Sequence, residues 1–150
     1  MSSTRQRASP GPWFIEFFQV DGEDASSDPV PARSFLHRCP ESVARKFAAV
    51  LTAVADAPPP AFSGGGYWEA MHGEMAGYYE IRIDGPGRHH FRLFCVLERD
   101  GHEVGLKGPS LIVLCGMEKA FRTTFSRRDY ERVRVLGERF RSRVPRSVAP

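Results

Sequence analysis

The chain has no apolar run approaching the ~20 residues that a membrane span needs, and no apolar segment follows the arginines of its first stretch, MSSTRQRASPGP, in the manner of a secretory leader. A cytoplasmic location with no membrane partner is therefore expected. Cysteine is scarce: Cys39, Cys95 and Cys115 are all there is. An odd number with no C-x-x-C pair argues for a reduced compartment and against a disulfide framework. Ligands at metal-binding spacing are missing, so neither a metal nor another cofactor is expected. The three glycines at 64–66 have no G-K-S/T after them and no strand before them, which excludes a phosphate-binding loop. Nor is there an internal repeat. Most of the chain also lacks a basic surplus. Residues 1–79 carry 6 basic and 9 acidic groups, residues 80–118 carry 5 and 6, and residues 119–150 carry 10 and 3. The net +3 thus comes wholly from the last fifth, at +7. Such asymmetry suits a nucleic-acid surface or an acidic protein partner. A solvated arginine-rich helix is the plainer alternative.

At 150 residues one domain is expected, spanning 1–150, with 1–12 and 145–150 as flexible tails. Residues 13–20 (W-F-I-E-F-F-Q-V) read as a strand covered on both faces. Residues 21–29 are an acidic loop. Pro31 opens a short helix to His37, and Pro40 suits the first turn of a second, in which Val43, Phe47, Val50, Leu51 and Val54 recur at helical spacing. A proline run at 58–60 ends it, and the segment 68–77 is a short approach to the sheet. Residues 99–109 form a loop. Leu111 to Cys115 is a continuous branched run, the signature of a buried central strand, with Lys119 and Arg122 just beyond its end. Ser126 and Asp129 form a capping box for a last helix with Tyr130, Val133, Leu136, Phe140 and Val144 on its apolar stripe. Gly137 inside that helix costs ~1 kcal/mol relative to alanine, so packing must require it. The order is strand, two helices, three strands, helix: an α+β fold with a mainly antiparallel sheet.

The hairpin at 78–94 organises the rest. Tyr79, Ile81 and Ile83 alternate with Glu80, Arg82 and Asp84; then D-G-P-G breaks the strand, and Phe91, Leu93, Cys95 and Leu97 resume one face with Arg92 on the other. Folding symmetrically about Gly87 sets Arg82 opposite Arg92. Like charges directly opposed repel, and an anion between them would relieve this. Arg88, His89 and His90 lie at the same turn. A face with several cations and two imidazoles suits a phosphodiester. A solvated face in which Glu80 pairs with either arginine explains the pattern equally.

These segments resemble the RelE/ParE superfamily of toxins, and within it the HigB-like, phage-derived branch. Its G-x-x-E-L-R element is similar to Gly77-Tyr78-Tyr79-Glu80-Ile81-Arg82, and its Y-R-V-x-Y to Phe91-Arg92-Leu93-Phe94. L-L-H-G-F-x-K-K is similar to residues 113–120, and D-Y-x-x-V-x-x-L to residues 129–136. The match is firm over about 75–143 and weaker over 13–56. The resemblance implies a RelE-like fold and a type II toxin that cuts messenger RNA in translating ribosomes. The RNA's 2′-hydroxyl would be the nucleophile, without a metal. It implies that Arg92 holds the scissile phosphate, Arg82 assists, and Lys119 stabilises charge. Histidine suits proton transfer near neutral pH; His90, which shares parity with Arg92, is preferred to His89 as acid or base. Arg88, His89, Arg122, Arg127 and Arg128 would contact RNA. It also implies a cognate antitoxin, commonly a helix-turn-helix protein. Three departures stand out: Ala120 replaces the second lysine, Cys115 the histidine and Met117 the aromatic residue. Phe125 lies near a tyrosine of some relatives, and Tyr130 is expected to face the core. Two alternatives remain: a degenerate toxin that keeps only its antitoxin contacts, and a ParE-like inhibitor of DNA gyrase.

Overall fold

In the computed structural model, which describes residues 12–21, 28–58 and 66–150, the first element is a strand, β1 (Phe14–Phe17). Two helices follow, α1 (Pro31–Arg38) and α2 (Glu41–Asp56). Pro31 occupies the first turn of α1, where its missing N–H would be unpaired anyway, and Pro40 immediately precedes α2. Four strands and a helix complete the chain: β2 (Trp68–Ala70), β3 (Tyr79–Gly85), β4 (His89–Glu98), β5 (Ser110–Ala120) and α3 (Arg127–Arg141). Residues 1–11 of the expected tail 1–12, residues 22–27 of the acidic loop 21–29 and residues 59–65 lie outside the described residues.

The sheet order is β1-β5-β4-β3-β2; β1 runs parallel to β5 and every other pair is antiparallel. The fold is therefore α+β and mainly antiparallel. The approach segment is itself a strand: β2 pairs Trp68, Glu69 and Ala70 with Ile81, Glu80 and Tyr79, which makes five strands rather than four. It is only three residues long, too short for alternation to register.

The two faces are covered by different helices. Phe35 of α1 and Val43, Phe47, Leu51 and Val54 of α2 pack on Ile81, Ile83, Phe91, Leu93, Leu111 and Val113. On the opposite face, Val133 and Phe140 of α3 pack with Phe94, Val96, Ile112 and Leu114. This double cover explains why 111–115 is apolar without alternation. Each such side chain contributes about 1.5–3 kcal/mol by burial. Gly137 answers its expectation: an added Cβ would collide with the Tyr78 ring and hydroxyl, so only glycine lets α3 lie this close.

Two expectations fail at the chain's end. Residues 145–150 are no free tail. Gln19 N–H donates to the Ser147 carbonyl and Ala149 N–H to the Phe17 carbonyl, closing the outer edge of β1. Arg146 is held 3.0 Å from Glu98. Val144 is 65% exposed, off the apolar stripe, because α3 has already ended at Arg141. No helix among the described residues is long and apolar enough to cross a membrane.

Candidate active site

The β3–β4 turn sets the site. Gly87 takes a positive φ of 74° and Arg88 one of 57°. Glycine adopts that backbone freely, whereas arginine does so rarely. The Arg88 carbonyl accepts the Phe121 N–H at 2.8 Å, which pins the strained residue to the end of β5. The register is symmetric about Gly87, and Arg82 lies directly opposite Arg92. β5 continues to Ala120, well past Cys115, so Lys119 is a sheet residue rather than one beyond the strand. Three rows then cross the α3 face: Asp84–His90–Lys119, Arg82–Arg92–Met117 and Glu80–Phe94–Cys115. Arg82, His90, Arg92 and Lys119 are thereby brought together.

A cleft of about 300 Å³ opens where α3 stops covering this face. Glu80, Arg82, His90 and Arg92 form its floor, and Thr123, Thr124, Phe125 and Tyr130 its far wall. Tyr130 was expected to face the core, but its ring lies edge-on to Phe94 and also borders the cleft, since it starts the helix just above the sheet's polar end.

Each charged group has a defined setting. His90 Nδ1 is 2.8 Å from Asp84 Oδ1, and its ring stacks on Phe121 at 4.5 Å between centroids. An ionised Asp84 accepts the Nδ1 proton, so Nε2 of the neutral ring carries the free lone pair. That bond to His90 is the main reason the Asp84 carboxyl is held below the usual carboxylate range. Arg92 is 9% exposed. Its Nη1 donates to the Phe91 carbonyl at 3.0 Å; Glu80 and Asp84 oxygens stand 3.8 and 3.7 Å from the guanidinium, and the Phe125 ring 5.9 Å from it. Burial pushes the Glu80 carboxyl up, although Arg92 and Arg82 pull the other way. Arg82 reaches outward to Glu69 at 2.9 Å. Lys119 lies 3.2 Å from Asp129, whose carboxyl is held down chiefly by the Ser126 N–H of the capping box.

The pairing alters one argument. The repulsion between Arg82 and Arg92 is already relieved within the protein, by Glu69 on one side and by Glu80 and Asp84 on the other. Three permanent cations meet four carboxylates here, so an entering phosphate must compete with internal partners.

No family model matches the chain, and no curated protein matches it significantly. It is similar to a chain in the crystal structure of the toxin–antitoxin complex RelBE2 from Mycobacterium tuberculosis. Identity is 16%, over 73% of this chain and 94% of that one, with a TM-score of 0.44. At that level the likeness bears on neither activity nor partner.

The RNA-contact candidates divide. Arg88, Arg122, Arg127 and Arg128 are exposed and make no ion pair among the described residues. Arg127 and Arg128 start α3, next to the Thr123–Thr124–Phe125 wall. His89 points to the opposite face, where its Nδ1 meets Glu118 at 2.7 Å, because adjacent strand residues alternate. It is off the cleft. Cys115 is buried and its thiol is pushed up to about 12 by burial, so it offers no nucleophile. Sequence reasoning undervalued Glu80 and Asp84. Their parity with Arg82 placed them on this face, but which arginine each would meet depends on β4.

Proposed function

We propose that this chain is the toxin of a type II toxin–antitoxin pair, of the HigB-like branch of RelE-like toxins, and that it cuts messenger RNA at the cleft. The observation that carries the reading is the convergence, on one sheet face, of a largely buried arginine, an imidazole held by a carboxylate, and a desolvated carboxyl group. The residue pattern of 77–136 supports the family. The substrate is messenger RNA on translating ribosomes, and the partner is a cognate antitoxin covering the basic face.

The parts divide the work of phosphoryl transfer. The RNA's 2′-oxygen attacks the adjacent phosphorus as His90 Nε2 takes its proton. Asp84 orients the ring and stabilises the imidazolium that forms. Arg92 and Arg82 face the charge that builds on the non-bridging oxygens, and Lys119 adds a third cation at the next strand. The bond to the 5′-oxygen breaks, and that oxygen takes a proton from Glu80, which its burial keeps protonated to a higher pH than usual. The products are a 2′,3′-cyclic phosphate and a 5′-hydroxyl end.

A second reading has its own observation. Arg82, Arg92 and Lys119 are each already matched by a carboxylate, which also suits a toxin that has lost cutting and kept antitoxin binding. The two readings separate by 5′-end mapping of a reporter message on translating ribosomes, with naked RNA beside it. Cuts made by the wild type and absent in a folded Arg92→Ala variant support the nuclease. No cuts from either protein, with antitoxin binding intact, leave the binding module.

A further inference from the structure

The cleft does not end at Arg82. A second notch of about 430 Å³ shares Arg82 and Arg92 with it and runs over the edge of β3 to Lys46 and Tyr67. Its shape follows from the register. β2 pairs only with residues 79–81, and the Arg82 N–H makes the last bond, to the Tyr67 carbonyl at 2.8 Å. Beyond it the outer edge of β3 has no strand partner among the described residues. Since Trp68 pairs with Ile81, Tyr67 continues the ladder opposite Arg82, on the same face as the two arginines.

The side chains there differ from those on the cleft floor. Tyr67 is 51% exposed, whereas its neighbour Trp68 is 6% exposed and stacked on Tyr79 at 4.8 Å, so the backbone that carries Tyr67 is anchored while its ring is free. Lys46 is exposed on α2 and makes no ion pair among the described residues, unlike Arg82, Arg92 and Lys119. A free aromatic face beside an unpaired cation, at the end of a groove lined by arginines, is what single-stranded RNA binding uses: stacking for a base and positive charge for its phosphate.

We infer that this notch is a nucleotide subsite: Tyr67 stacks the base flanking the cleaved bond, and Lys46 binds the phosphate beyond it. The inference rests on the nuclease reading. It gives the groove a direction, from Tyr130 across Arg92 and Arg82 to Tyr67, and it assigns RNA contacts to the edge of β3 as well as to the arginines of α3.

The test is a cycle between protein and substrate. Reporter messages are made abasic at each nucleotide flanking the mapped cut in turn, and cleavage by wild type and Tyr67→Ala is timed on translating ribosomes. At one flanking position the missing base is expected to lower wild-type kcat/KM by about tenfold, the order of one stacked base, and to cost Tyr67→Ala nothing more. On the intact message Tyr67→Ala loses the same tenfold, through KM, and Tyr67→Trp restores it. Lys46→Ala lowers the salt dependence of log kcat/KM by about 0.7, as one lost single-strand phosphate contact does. Wild-type cleavage that Arg92→Ala abolishes but Tyr67→Ala leaves unchanged would overturn the subsite while keeping the nuclease. So would a Tyr67→Ala loss that is undiminished on both abasic messages, which marks Tyr67 as a structural surface residue. No cleavage by the wild type overturns both.

Discussion

Replacing Gly137 by alanine sets helix propensity against packing. At an exposed helix position the exchange stabilises by about 1 kcal/mol. Gly137 is buried in α3, and a Cβ there would stand 2.6 Å from Cε2 and 2.8 Å from Cζ of Tyr78, well inside van der Waals contact. The ring has little freedom to move aside. Tyr78 is 4% exposed, its hydroxyl donates to the Arg134 carbonyl at 3.3 Å, and the Arg141 guanidinium lies 5.3 Å over it. Either the ring gives up these contacts or α3 lifts from the sheet. Overpacking of this kind costs about 1–3 kcal/mol, and the lost hydrogen bond adds about 1 kcal/mol. Packing wins, and Gly137→Ala is expected to destabilise by roughly 1–3 kcal/mol. In thermal melts each kcal/mol lowers Tm by about 2–4 °C at this chain length; urea denaturation gives the free energy directly. Because α3 holds Tyr130 at the cleft and Asp129 against Lys119, cutting should fall with stability. An unchanged or raised Tm would refute the close approach of α3 to Tyr78.

Ser126→Ala removes half of the capping box and is expected to cost about 1 kcal/mol in urea denaturation near neutral pH. Because the Asp129 carboxyl is held below its ordinary value of 3.8, its contribution is present above that value and is lost as pH falls through the lowered one. That contribution runs chiefly through the Ser126 N–H, which alanine keeps, so it is the Asp129→Asn penalty that should shrink in strong acid, and an Asp129→Asn penalty independent of pH would contradict the cap. Glu80 has the opposite sign. Its carboxyl is raised above 4.5, so the native state holds the proton more tightly, and the stability it contributes fades as pH climbs from 4.5 through the raised value. Glu80→Gln should gain on wild type across that window in a pH series of melts; a constant difference would mean Glu80 titrates normally. Asp84→Asn replaces the carboxylate beside His90 with a neutral amide, which neither fixes the ring's tautomer nor stabilises the imidazolium as a carboxylate does, and it removes a negative charge from beside Arg92. Its kcat is expected to fall about 100-fold or more, the scale of general acid–base catalysis, with KM unchanged or lower. A rise in KM at constant kcat would make Asp84 a binding group instead.

The hairpin was the most legible part of the chain because two local signals agree there. Alternation fixes which residues share a face, and the G-P-G turn fixes the axis of symmetry, so the Arg82–Arg92 pair follows without tertiary information. The same holds for Ser126 and Asp129, whose cap is a contact three residues apart. What could not be read were pairings between distant segments. Glu69 meets Arg82 only because the three-residue β2 joins the sheet, and nothing local marks it as a strand. The docking of 147–149 on β1 depends on an open edge that the sequence does not announce. Lys119 entered the site because β5 runs on through Gly116, where the apolar run ends but the ladder with β4 does not. The neutralised charge of the cleft came from the same source: carboxylates visible in the sequence, with partners set by the sheet.

The central claim is that this face moves a phosphoryl group with the RNA's own 2′-hydroxyl, and a reporter message with a single 2′-deoxynucleotide at the mapped cut tests it most directly. On translating ribosomes the wild-type protein is expected to leave that site intact while cutting the unmodified message to a 2′,3′-cyclic phosphate and a 5′-hydroxyl. Cutting of the deoxy-substituted site at the same rate, or a 5′-phosphate on the product, would contradict it.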